Sequence, residues 1–189
     1  MSNQKKSEMN SIIKKMFIPV LGLIFIVFAG CKSTQNTSDS LKLDSLEAKA
    51  AISNSHPNIA ELFSTSVGYA IFPNVGKGAY VIGAASGNGT VYQNGKFTGY
   101  SNLKQLDVGF QIGGKAFIEV IFFQTQAALN HFKQGNFELA ANVSAVILEE
   151  GVSKSVDFRN GFGVVTKPKA GAMAGISVGG QKFEFFPAQ

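Results

Sequence analysis

The stretch from Asp107 to Phe123 constrains the fold more than any other part of the chain. Val108, Phe110, Ile112, Gly114, Ala116, Ile118, Val120 and Phe122 fill every even position without a polar interruption. That period of two belongs to a β-strand with one face wholly buried. The odd positions carry Asp107, Gln111, Lys115 and Glu119 among Gly109, Gly113, Phe117, Ile121 and Phe123, so this face begins wet and dries towards its end. A straight strand of that length would reach roughly 55 Å at about 3.3 Å per residue, too far for a single domain. It must bend, and Gly113-Gly114 is the expected place. Long bent strands with alternating faces are what a sheet needs to curl towards a barrel.

The rest of the chain agrees. With 21 Gly, 17 Phe, no Trp and 45% hydrophobic residues, the composition suits a β-rich domain with close backbone approaches and a packed core. Val67–Pro73 reads as a strand, Asn74–Gly78 as a turn, Ala79–Ala85 as a strand and Gly87–Gly89 as a further turn. Asn94-Gly95, between Thr90–Tyr92 and Lys96–Thr98, is the strongest hairpin signal. Further strands are expected at Phe137–Leu148, Gly161–Thr166, Ala172–Val178 and Lys182–Phe186. Before the strands, Leu41–Ser53 has helical spacing, with Asp39 or Ser40 as N-cap and apolar rows on two sides: Leu43, Leu46 and Ala50, then Leu41, Ala48 and Ile52. Such a helix is expected to be buried rather than to lie on a membrane. Pro57 can open a second helix, and Thr125 can cap a short internal one, Gln126–Lys133, that Gly135 ends. The expected class is therefore α+β: a mainly antiparallel, strongly curved sheet or partial barrel, with N-terminal helices and one short internal helix.

The N-terminus reads as a targeting segment. Lys5, Lys6, Lys14 and Lys15 precede a 15-residue apolar run, residues 16–30, shorter than the roughly 20 residues that span a bilayer. Cys31, the sole cysteine, follows directly after Val27-Phe28-Ala29-Gly30, which resembles a bacterial lipobox. Cleavage after the small pair Ala29-Gly30 would leave the Cys31 thiol to carry a diacylglycerol anchor. The other reading of Cys31 is a free thiol at the end of an uncleaved anchor, and both put the domain at a membrane. The expected organisation is a signal peptide over 1–30, lipidated Cys31 with a polar tether over 31–40, and one domain over 41–189. Lys32 after the cysteine resembles outer-membrane sorting, so the expected location is the periplasmic side of the cell envelope, on the outer membrane. The formal charge of +5 falls to about +2 once residues 1–30 are removed, weak steering that does not point to nucleic acid.

The chain shows no machinery for catalysis. Gly109–Lys115 matches the first seven positions of a P-loop, but Ala116 replaces the metal-binding Ser or Thr and the stretch lies inside an alternating strand, so no nucleotide is expected. His56 and His131 have no carboxylate or cysteine at ligand-like spacing; His56 reads as a turn residue and His131 as a surface or capping one. Glu149, Glu150 and Asp157 read as solvated turns, and there is no Gly-x-Ser-x-Gly elbow. One cysteine excludes a disulfide framework and a Cys-x-x-Cys pair. No catalytic residue, metal or cofactor is expected, and the protein is not expected to be an enzyme. Lys77, Lys115, Lys167 and Lys169 sit beside glycines or a proline, where N–H and ammonium groups together could hold an anionic headgroup. The alternative is that they keep a sheet soluble.

Gly68-Tyr69-Ala70-Ile71-Phe72-Pro73, then Lys77-Gly78-Ala79 and Gly83, Gly87 and Gly89, resembles the opening of the SYLF domain. Gly109-x-Gln111-x-Gly113 and Ala174-Gly175-Ile176-Ser177 resemble its middle and closing segments. The resemblance covers about residues 40–186. Eukaryotic members of that family are associated with phosphoinositide-rich membranes and actin, and bacterial members are commonly exported or lipidated. Here the basic segment before the last motif is Lys167-Pro168-Lys169 rather than Arg-rich. The resemblance implies a membrane-anchored lipoprotein that binds phospholipid. The alternatives are a non-catalytic structural or interaction module whose partners are envelope proteins, and a carrier for a small apolar ligand inside the curled sheet.

Overall fold

The computed structural model describes residues 34–78, 83–107, 115–169 and 176–188, and Ser38–Gln189 forms one compact unit. Two helices come first, α1 Thr34–Ser55 and α2 Pro57–Thr65. Strands β1 Gly68–Gly78, β2 Gly83–Gln93, β3 Lys96–Asp107 and β4 Lys115–Phe123 follow. After α3 Gln126–Lys133 come β5 Phe137–Glu138, β6 Val146–Ile147, β7 Phe162–Pro168 and β8 Lys182–Pro187. All eight strands lie in one sheet, in the order β5-β8-β3-β2-β1-β4-β7-β6. Every pairing is antiparallel except β6 with β7. This is the expected α+β architecture, a curled half-barrel with helices at the N-terminal end.

The curl can be read from aromatic contacts. Phe137 on β5 pairs with Phe183 on β8, at one edge of the sheet. Its ring also meets Phe162, on β7 near the opposite edge, at 5.4 Å between centroids. Phe183 reaches across to Phe72 on β1 at 5.4 Å. Strands far apart in hydrogen-bonding order can touch only if the sheet wraps round its inner face. That face is filled by Phe72, Val91, Leu103, Phe117, Ile121, Phe123 and Phe183, with α3 supplying Ala128, Leu129 and Phe132. The outer face carries Tyr69, Ile71, Tyr92, Ile118, Val120, Phe122 and Val165, and α1 and α2 cover it with Ala48, Ile52, Ile59 and Phe63. Each fully buried side chain of this size stabilises the fold by about 1.5–3 kcal/mol.

Several boundaries differ from the expectation, each for a local reason. Asn74–Gly78 is not a turn but the second half of β1. One extra residue there shifts the register against both β2 and β4, a bulge that accommodates Pro73, which has no N–H to donate. Gly87 and Gly89 lie within β2 instead of making a turn. At Gly89 a Cβ would come within 2.5 Å of the Ile71 carbonyl oxygen and 2.6 Å of the Phe72 ring, so this glycine lets two strands and an aromatic ring approach closely. The long alternating run is divided. Asp107 ends β3 and Lys115 starts β4, and these strands are separated in the sheet by β2 and β1. The expected bend at Gly113-Gly114 lies outside the described residues.

Phe137–Leu148 holds two short strands joined by non-strand residues, and Ile176–Val178 is not strand. Helix α1 starts at Thr34, so Asp39 and Ser40 are interior to it and the polar segment from Thr34 onward is helical. Only one of its two apolar rows is covered: Ala48 and Ile52 are buried, whereas Leu43 is 67% and Leu46 53% exposed. The Asn94-Gly95 hairpin is present, with φ of 49° and 73° as a type I′ turn requires. So is the Thr125 cap, whose Oγ1 accepts from the Ala128 N–H at 3.2 Å.

Candidate functional site

Lys77 and Lys115 are Cα partners across β1 and β4. The Lys169 N–H donates to the carbonyl of Ala116, the next residue along β4, at 2.9 Å. The backbones of three of the four lysines singled out from the sequence thus meet at one end of the sheet, although they come from positions nearly a hundred residues apart. Lys167 is differently placed. Its Nζ lies 2.6 Å from Glu150 Oε1 and 3.3 Å from Ser55 Oγ, and the hydrogen bond and charge of Lys167 hold the Glu150 carboxyl below its ordinary pKa. Lys167 therefore joins β7 to α1 and to the loop before it, with its charge already compensated. Cys31 lies outside the described residues.

Beside the lysine end, α1 crosses the outer face and leaves a groove of about 340 Å³ lined by Asp44, Glu47, Ala48, Ala51, Pro73, Asn74, Ile118 and Lys169. Positions 44, 47, 48 and 51 form one stripe of α1, and the two alanines keep its floor low. The basic residues of α1 lie elsewhere. Lys42 Nζ is 4.9 Å from the centre of the Phe97 ring, and Lys49 Nζ is 5.0 Å from that of Phe63. In the sequence Asp44 and Glu47 stand out only by their i, i+3 spacing within the expected helix.

The second feature missed from the sequence is a polar cluster inside the curl. Glu119, on the inner face of β4, is 0% exposed. Gln181 Nε2 donates to its Oε2 at 2.9 Å and also reaches Gln105 Oε1 at 3.4 Å, and Gln105 Nε2 donates to the Gly179 carbonyl at 3.1 Å. Burial pushes the Glu119 carboxyl up to about 8, against the opposing hydrogen bond from Gln181. Glu119 Oε1, Gln181 Oε1 and the hydroxyl of Thr166, Glu119's cross-strand partner, have no hydrogen-bond partner among the described residues.

The remaining polar residues make structural contacts. His56 sits at the α1–α2 junction and is buried: Nε2 is 3.0 Å from the Glu149 carbonyl oxygen and Nδ1 is 2.9 Å from Ser55 Oγ, so it ties the junction to a distant loop. His131 is exposed beside the Phe137 ring. Glu149 pairs with Lys154, and Asp157 with Arg159. Among the described residues no group of three or more His, Cys, Asp or Glu is placed to hold a metal ion. Nor is any described helix long and apolar enough to cross a membrane.

Residues 104–185, from β3 through β8, match the family model described as Ysc84, Las17-binding protein actin regulator. This match over residues 104–185 is consistent with the SYLF resemblance. The matched stretch contains Lys115, Lys167, Lys169 and the Glu119 cluster, whereas Lys77, Asp44 and Glu47 lie before it. No curated protein matches the chain at a significant level.

Proposed function

We propose that this chain is a membrane-anchored envelope lipoprotein whose SYLF domain binds phospholipid headgroups at the lysine end of its sheet. The observation that carries this reading is the register. Like charges at directly opposed positions of an antiparallel pair are unfavourable, yet Lys77 and Lys115 are opposed there and Lys169 is fixed one residue away. An anionic surface at that end of the sheet would offset that repulsion. The anchor rests on the basic segment, the short apolar run and Cys31. The reading is of a binder and not an enzyme.

Co-sedimentation of the unlipidated chain from Lys32 onward, with vesicles of neutral and of anionic composition across a salt series, tests the domain apart from its anchor. The expected result is salt-sensitive binding to anionic vesicles that weakens at least several-fold in a Lys77→Ala, Lys115→Ala variant. Absence of binding to any vesicle would remove the lipid-binding reading of the domain. It would favour the interaction-module reading, for which the family description, a Las17-binding actin regulator, is the motivating observation.

A further inference from the structure

The groove under α1 has two walls of opposite charge that do not neutralise each other. Asp44 and Glu47 stand on the helix side and Lys169 on the sheet side. None of these three side chains has an ion pair or hydrogen bond with a described residue, although five other ion pairs form among the described residues. Between the walls lies apolar surface from Ala48, Ala51, Pro73 and Ile118. A simple anion placed here would be repelled by the carboxylates, and a simple cation by Lys169. Only a ligand with both charges a short apolar spacer apart complements both walls.

We infer that the groove binds a zwitterionic phosphoethanolamine headgroup, with its ammonium at Asp44 and Glu47, its two-carbon spacer on the alanine floor, and its phosphate at Lys169. This rests on the lipid-binding reading above and narrows it. The lysine end supplies general affinity for anionic surface, and the groove supplies the preference for a headgroup type. The groove volume of about 340 Å³ lies at the small end of the range for ligand sites, which suits a headgroup better than an acyl chain.

The test uses the full chain in neutral detergent micelles, titrated by calorimetry with two soluble probes. These are sn-glycero-3-phosphoethanolamine and, as an anion of similar size, sn-glycero-3-phosphoglycerol. The expected result is tighter binding of the ethanolamine probe, and a loss of at least ten-fold for that probe alone in a variant with Asp44→Asn and Glu47→Gln. Lys169→Gln should weaken both probes. All three positions are at the surface, and a thermal melt of each variant confirms that it folds. Equal affinity for the two probes, no detectable binding of the ethanolamine probe, or an unchanged affinity in the double variant would overturn the inference. Vesicle co-sedimentation separates this from the broader reading, because anionic vesicles that still bind would leave the lysine end standing while the groove assignment falls.

Discussion

The two faces of β4 are built from the same nine-residue strand yet differ in kind. Ile118, Val120 and Phe122 face α1 and α2 and form an uninterrupted apolar surface. Phe117, Ile121 and Phe123 face the interior of the curl, and between them Glu119 is buried as deeply as its neighbours. A face covered by helices can be closed with apolar residues alone, because helices satisfy their own backbone groups. The interior of a curled sheet must also accommodate a chain that returns without regular pairing, here residues 176–181 before β8. Glu119, Gln181 and Gln105 hold that segment with side-chain hydrogen bonds, beside the backbone bonds that Gly180 and Gln181 exchange with Leu139.

The largest expected effect comes from removing the aromatic keystone of the inner face. Phe183 touches Phe72, Phe132 and Phe137 and is almost fully buried, so Phe183→Ala should cost about 3–5 kcal/mol, read as a lower urea midpoint. A loss well below that would mean the curl closes loosely and the inner face is not the principal core.

Next in size is the pH dependence of the same face. The Glu119 carboxyl, pushed up to about 8, keeps its proton in the folded chain at pH values where an unfolded glutamate has already released it. Stability should therefore be greatest below the ordinary glutamate range, fall as pH rises towards about 8, and level off above, by an amount on the order of a few kcal/mol. Glu119→Gln should flatten this profile and raise stability at pH 8, since an amide is neutral and its N–H groups can donate to Gln181 Oε1 or Thr166 Oγ1. Parallel profiles for the two proteins would show that Glu119 is hydrated or charged in the native state. A change of the cap is smaller: Thr125→Ala removes the hydrogen bond to the Ala128 N–H and should cost about 1 kcal/mol.

What was legible in the sequence divides along the same line. Several signals that act within a few residues agree with the structure: the Asn94-Gly95 hairpin, the Thr125 cap with its helix, the Pro57 helix start, and strands β7 and β8; the glycine turns expected at Asn74–Gly78 and Gly87–Gly89 do not, because strand pairing overrides them. The lysines stand beside glycines or a proline in the sequence, but the proximity of Lys77, Lys115 and Lys169 comes from the pairing of β1 with β4 and of β4 with the end of β7. Signals that depend on distant pairing were not legible. Period-two alternation cannot tell one long strand from two that pair with different neighbours, so Asp107 and Lys115 were placed on a single strand. A carboxylate at an odd position of an apolar run reads as solvent-facing until a partner from elsewhere in the chain, here Gln181, makes its burial tolerable.

The smallest expected effect concerns α1, where two apolar rows of equal promise on paper have opposite fates. Ile52 is fully buried against the outer face, while Leu43 and Leu46 are mostly exposed. Glutamine has nearly the helix propensity of leucine, so Leu43→Gln with Leu46→Gln changes the surface and little else. The double variant should keep its denaturation midpoint within about 0.5 kcal/mol of the parent, whereas Ile52→Gln places an amide in an apolar site and should destabilise by several times that. A clear loss of stability in the Leu43, Leu46 variant would mean that the outward row is covered in solution, and that the contrast between the two sides of this helix is one of partners rather than of exposure.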